Sequence, residues 1–153
     1  MFEEIGLVFW NTSYSKNGVN GGRYTPGAVA NIYLGPAERS YIANLQGFAS
    51  HLDGDVVPAP VEVSTKDSVR GYGLVSSHVA AAYLHHFQDH ANPIAGLKVK
   101  LAVPQPNLRF AWIDPATGAV LSEGPVGGEE LAAPPFAIDL ALLISRDRMP
   151  RIK

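Results

Sequence analysis

The sequence predicts an α+β chain that is mainly an antiparallel β-sandwich, with one amphipathic helix near the N-terminus. Beyond residue 57, short apolar runs alternate with clusters of turn residues, which is typical of a sandwich. The chain also contains 15 Gly and 12 Pro, more than a helical bundle normally tolerates. Before residue 57 there is a single convincing helical repeat.

The predicted helix spans residues 36–52. Pro36 suits the first helical position, and Glu38 lies in the first turn, where the helix dipole favours a negative charge. Apolar residues then recur at spacings of three and four, which places them on one face that we expect to cover a sheet. These residues are Tyr41, Ile42, Leu45, Phe48, Ala49 and Leu52.

Two later segments alternate clearly between apolar and polar positions. In "LKVKLAV", Leu97, Val99, Leu101 and Val103 fall on one face of a strand, with lysines on the other. In "LRFAWI", Leu108, Phe110 and Trp112 likewise share a face. Both segments therefore predict strands with one buried side.

The segment 78–88, "HVAAAYLHHFQ", supports two interpretations. Its alanines and its repeat of Val79, Tyr83 and His86 favour a helix by propensity, whereas alternation places Val79, Ala81, Tyr83, His85 and Phe87 on one face of a strand. We predict a strand, because the segments on both sides have the pattern of sandwich strands.

The N-terminal part has a different pattern of apolar and turn residues. "IGLVFW", residues 5–10, is a short apolar run typical of a strand buried on both faces. A long loop rich in Asn and Gly follows, and then "AVANIYLG", a second strand candidate. We therefore predict a strand–loop–strand–helix unit over 1–57, a β-sandwich over 58–147 and a tail over 148–153, with the first two packed as one folded unit.

Composition excludes several classes of function. Twelve Lys and Arg against 14 Asp and Glu give a net charge of −2, without any block of like charge, so we expect no nucleic-acid or membrane partner. The chain has no Cys, which removes thiolate catalysis and Cys-ligated zinc. No apolar run is long enough to cross a bilayer, and the acidic start is unlike a signal peptide. These features leave the compartment open, and we predict no cofactor.

The motif "DPATG" predicts a turn. Asp114 can accept backbone N–H bonds, Pro115 presets the dihedral of the second turn position, and Gly118 tolerates the positive φ with which such hairpin loops often end. We therefore interpret Asp114 as a structural residue instead of a reactive carboxylate.

Five polar residues raise the question of a metal or catalytic site. His85, His86 and His90, with Asp89 nearby, suggest a metal, but adjacent strand residues point to opposite faces, so we predict no metal site. Asp139 lies in the apolar segment "FAIDLALLI". We predict that it is hydrogen-bonded structurally, to backbone N–H groups or to an arginine, because no second carboxylate has a similar setting.

Aromatic residues flank the long N-terminal loop. Flat rings beside amide and guanidinium groups are typical of sugar-binding surfaces, although such rings also fill cores and cover sheet edges. The candidate carbohydrate-binding residues are Trp10, Asn11, Tyr14, Arg23, Tyr24 and Tyr33.

Two later motifs carry a family resemblance. "LRFAWIDPATGAVL" followed by "EELAAPPFAIDLALLI" resembles the last part of the C-terminal β-sandwich found in many (β/α)8-barrel glycoside hydrolases, in which a W-x-D-P-x-T-G hairpin precedes a P-P-F-x-x-D-x-A-L closing strand. "GLVFWNTSY" and "NIYLGPAERSYIANLQGFASHLD" resemble the last strand and helix of such a barrel.

The resemblance implies a non-catalytic role. The two catalytic carboxylates of these barrels lie on earlier strands, so a chain that starts at the last strand would lack both. We therefore expect a glycosidase-associated module that is structural or binds carbohydrate weakly, with carbohydrate or a barrel domain as its partner. The alternatives are a small free-standing enzyme or ligand-binding protein with a pocket at the Trp10–Tyr33 loop, and an interaction protein that forms a homodimer.

Overall fold

The computed structural model describes residues 36–146. Backbone contacts divide the chain into two compact units, 1–39 and 40–153, so nearly all the described residues belong to the second. The strands predicted over 5–10 and 28–35, and the predicted tail, lie outside the described residues. Among residues 36–146, no helix is both long enough and apolar enough to span a membrane.

One helix and nine strands follow each other along the described chain. The helix is α1, Pro36–Ala49. The strands are β1 (Val57–Ala59), β2 (Val61–Val63), β3 (Val69–Val75), β4 (Ala80–His86), β5 (Lys98–Leu101), β6 (Arg109–Ile113), β7 (Val120–Pro125), β8 (Glu130–Ala132) and β9 (Asp139–Ser145).

The strands form two sheets, which confirms the predicted fold class. The larger sheet has six strands in the order β1-β3-β4-β9-β6-β7, and the smaller has three in the order β2-β5-β8. Every neighbouring pair is antiparallel. The predicted β-sandwich is therefore present, with α1 as its single helix.

The main core lies between the two sheets. Leu84, Trp112 and Leu142 from the larger sheet pack in one cluster with Val99 and Leu131 from the smaller one. Leu108 belongs to the same cluster and Phe110 packs against it, so the predicted common face of "LRFAWI" is confirmed. In β5 the lysines are exposed while Leu97, Val99 and Leu101 are buried, as alternation predicts.

A second, smaller core lies on the opposite face of the larger sheet. It contains Ala81, Ala111 and Leu143, with Phe48 and Leu52 packed against it. The helical segment thus covers a sheet, as predicted, but through a narrower stripe than the sequence suggests. Tyr41 and Leu45, which we expected on the buried face, are 54% and 58% exposed.

Asn44 attaches the helix to the turn between β6 and β7. This buried residue donates hydrogen bonds from its side-chain amide to the carbonyl oxygens of Ala116, at 2.8 Å, and Pro115, at 3.4 Å.

Strand β4 confirms the strand interpretation of residues 78–88. It pairs with β3 on one side and β9 on the other. Ala80, Ala82 and Leu84 face the main core, whereas Ala81 faces the second core. Small alanines suit a central strand packed on both faces, so tertiary contacts override their helix propensity.

Candidate functional site

The predicted carbohydrate-binding residues all lie outside the described residues, so the structure does not test them. These residues are Trp10, Asn11, Tyr14, Arg23, Tyr24 and Tyr33.

Asp114 makes a turn, as predicted. Its carboxylate accepts hydrogen bonds from the backbone N–H of Ala116, at 2.9 Å, and from the hydroxyl of Thr117, at 2.7 Å. The N–H of Gly118 donates to the Asp114 carbonyl at 2.8 Å, and Gly118 has a φ of 72°. Both carboxylate oxygens therefore hold the β6–β7 hairpin closed.

Asp139 is hydrogen-bonded, as predicted, but its partner is a histidine side chain instead of a backbone N–H or an arginine. Its carboxylate lies 2.9 Å from Nδ1 of His85. The two residues are directly opposite each other on the antiparallel strands β9 and β4, on the face away from the main core. The sequence prediction of the partner is wrong because it considered neither the register nor a neighbouring histidine.

The Asp139 carboxylate also influences the phenol of Tyr83. Burial raises the pKa of the Tyr83 phenol, and a hydrogen bond to Asp139 together with its negative charge raises that pKa further. A phenol with a raised pKa stays protonated at neutral pH, so the Tyr83 hydroxyl is available as a donor on the side of Asp139. The contact with His85 orients the Asp139 carboxylate.

Two residues of β3 lie beside Tyr83 and His85. Tyr72 is directly opposite Tyr83, and Arg70 is directly opposite His85. The guanidinium of Arg70 lies over the ring of Phe87, 4.6 Å from its centroid. Tyr72 is 58% exposed and Tyr83 40% exposed. We call the group formed by Arg70, Tyr72, Tyr83, His85 and Asp139 the tyrosine patch.

Sequence reasoning missed the tyrosine patch as a unit, although it singled out His85 and Asp139. Alternation already placed Tyr83 and His85 on one face of a strand, and it does the same for Arg70 and Tyr72. What the sequence does not supply is the pairing of β3 with β4 and of β4 with β9, which brings the three segments together.

The histidines of "LHHFQDH" separate as predicted. His86 faces inward, is buried and hydrogen-bonds through Nδ1 to the carbonyl of Ala137 at 3.0 Å, whereas His85 is on the opposite face. The rings of His85 and His90 meet edge to face, with centroids 5.3 Å apart. Within residues 36–146, no three His, Cys, Asp or Glu side chains are grouped closely enough to hold a metal ion.

A shallow groove on the smaller sheet contains mostly paired charges. Its lining includes Glu62, Lys100 and Glu129. The ammonium of Lys100 lies 3.2 Å from the carboxylate of Glu129, and the neighbouring Lys98 lies 2.9 Å from Glu130. These carboxylates raise the pKa of both lysines. The groove is best explained by cross-strand ion pairs on an exposed sheet face.

Comparison with known proteins does not assign the chain to a family. The sequence matches no protein-family model and no curated protein. Among solved structures, the chain has a distant likeness to alpha-L-fucosidase isoenzyme 2 from Paenibacillus thiaminolyticus, with a TM-score of 0.36 and 10% identity. The match covers 57% of this chain and 15% of the fucosidase chain. A likeness this distant carries no argument about function.

Proposed function

We propose that the described domain is a non-catalytic β-sandwich module associated with a glycoside hydrolase barrel. The observation that supports this most is the placement of the two family-like motifs. The W-x-D-P-x-T-G motif forms the β6–β7 hairpin, and P-P-F-x-x-D-x-A-L runs into β9, which pairs with β6. The motifs therefore lie side by side in one sandwich sheet.

The engagement of four described aspartates favours a non-catalytic role. Hydrolysis of a glycosidic bond needs two carboxyl groups facing each other across the bond. The carboxylate of Asp114 closes the β6–β7 turn, and that of Asp139 is hydrogen-bonded to His85. Asp89 accepts from the side-chain amide of Asn92, and Asp53 accepts from the hydroxyl of Ser76. Each of these hydrogen bonds serves a structural role that is sufficient to account for the acid.

The native reading frame tests the association with a barrel. We expect the coding sequence upstream of Met1 to continue in frame into a (β/α)8-barrel, which can be read directly from the source genome. A stop codon followed by an independent ribosome-binding site at Met1 would overturn this part of the proposal.

A turnover assay tests the non-catalytic role. The pure 153-residue chain should release no chromophore from a panel of aryl glycosides, whereas the longer native polypeptide should do so for at least one. Turnover by the 153-residue chain that disappears in Asp139→Asn would contradict the proposal, because it would assign catalysis to the sandwich itself.

A further inference from the structure

We propose that the tyrosine patch binds a neutral pyranose unit of a glycan. This inference rests on the proposed function for its carbohydrate context, and on the geometry of the patch for the site. The patch lies on β3, β4 and β9, on the same face of the larger sheet as the second core, at residues that remain exposed or half-buried.

The two tyrosines supply the apolar part of the site. Because Tyr72 and Tyr83 are directly opposite on antiparallel strands, their side chains leave the same face about 5 Å apart at Cβ. Both remain well exposed. Adjacent exposed aromatic side chains with polar tips are typical of binding surfaces, and the C–H face of a pyranose packs on such rings.

Asp139 supplies acceptors that are already oriented. Its carboxylate accepts from His85, yet a carboxylate has about four acceptor sites, so capacity remains for sugar hydroxyls. Its side chain is 30% exposed, so a ligand can reach it. A group held in place before binding loses little conformational freedom when the ligand arrives.

Arg70 supplies donors on the neighbouring strand. Its exposed guanidinium is steadied by the ring of Phe87 and follows Asp139 and His85 in the same cross-strand row. The patch therefore offers acceptors on one side and donors on the other, beside an aromatic surface.

The balance of charge and polarity favours a neutral sugar over other ligands. An anionic ligand would approach Arg70 but would be repelled by the carboxylate of Asp139 nearby. A purely apolar partner would bury Asp139, His85 and Arg70 without giving them new hydrogen bonds, which is unfavourable. A neutral pyranose has hydroxyls for these groups and an apolar face for the tyrosines.

The experiment is a titration of the full 153-residue chain with neutral hexasaccharides of glucose, xylose, mannose and galactose. Binding is monitored by NMR or calorimetry. We expect saturable binding of at least one of these sugars. Tyr72→Ala and Asp139→Asn should each weaken this binding about tenfold. Tyr72→Phe, which keeps the ring, should bind within about twofold of the original chain. Leu121→Ala is the matched control, since Leu121 is 47% exposed on β7, three strands from β4.

Three results would overturn the inference. The first is no saturable binding of any of the four sugars. The second is binding that Tyr72→Ala and Asp139→Asn leave unchanged, in variants whose near-ultraviolet circular dichroism shows an intact fold. The third is binding lost in Trp10→Ala but kept in Tyr72→Ala, which would move the sugar site to residues 1–35. All three leave the reading-frame test unaffected, so a failure here is distinguishable from a failure of the proposed function.

Discussion

At the scale of single residues, several ionisable side chains of the larger sheet are hydrogen-bonded to groups on neighbouring segments. Asp139 is hydrogen-bonded to His85 on the neighbouring strand, and its negative charge helps to raise the pKa of Tyr83, which is on the same face of β4 as His85. On the inner face, His86 uses the carbonyl of Ala137. Hydrogen bonding of this kind lets a mainly apolar strand carry ionisable groups without a large desolvation penalty.

Tyr83 should make the stability of the fold sensitive to alkaline pH. Its pKa is raised in the folded state by burial and by Asp139, so the unfolded tyrosine ionises first as pH rises past about 10. The stabilisation is complete below that pH and is lost progressively above it. Urea unfolding at several pH values should show a smaller alkaline loss in Tyr83→Phe than in the unchanged chain.

Comparing the two proteins at the same pH values cancels the titration of all other groups. Equal alkaline losses in the two proteins would show that the phenol is not held in its protonated form by the fold.

Trp112 carries a polar atom without a visible partner. The side chain is fully buried, and within the described part of the chain its indole nitrogen has no hydrogen-bond partner. Trp112→Phe removes this N–H, which offsets part of the cavity it creates. We expect Trp112→Ala to lose about 3–5 kcal/mol in the free energy of unfolding, and Trp112→Phe clearly less.

Denaturant titration of both variants measures this difference. If Trp112→Phe loses as much as Trp112→Ala, the indole N–H makes a hydrogen bond that matters.

At the scale of elements, β3 lies close to the end of β1 and the start of β2. A Cβ built on Gly71 would lie 2.7 Å from Cγ1 of Val61, and one on Gly73 would lie 2.7 Å from the carbonyl oxygen of Ala59. These glycines face the main core, where the two sheets meet at their edge. Because glycine has no side chain, the backbone of β3 can approach Ala59 and Val61 closely.

Gly73→Ala should therefore destabilise the fold, because the clash is with a backbone atom that does not move easily. We expect a loss of about 1–3 kcal/mol in the free energy of unfolding, measured by denaturant titration. Gly127→Ala is the matched control, since a Cβ there meets nothing within 4 Å, and it should change stability by less than about 0.5 kcal/mol. Equal effects from both substitutions would show that the sheets separate without penalty.

At the scale of the whole molecule, the six-stranded sheet has a core on each face. One is shared with the three-stranded sheet, and the other is covered by the helical segment through Phe48 and Leu52. Among the described residues, both cores consist of side chains between Phe48 and Ile144. The described segment thus contains the parts that a folded sandwich needs.

A shortened chain of residues 36–146 should therefore fold by itself. Trp112 would be its only tryptophan, since the other is Trp10. We expect a blue-shifted emission maximum that moves to the red in one cooperative transition on denaturation. A gradual transition, or emission typical of an exposed indole at the start, would show that other segments are needed.

The sequence by itself determined the fold class, the strand faces and the main turn of this protein. Alternation in "LKVKLAV" and "LRFAWI" follows directly from the two-residue repeat of a strand, and the hydrogen bonds of Asp114 and the positive φ of Gly118 are local properties. Only the tertiary structure decided which helix face is buried and which strands are neighbours. Tyr41 and Leu45 belong to the apolar face that the sequence predicts, yet both are exposed, whereas Phe48 and Leu52 of that face pack on the sheet. The tyrosine patch depends on register between segments far apart in the chain, and register is set by the packing of the whole sheet.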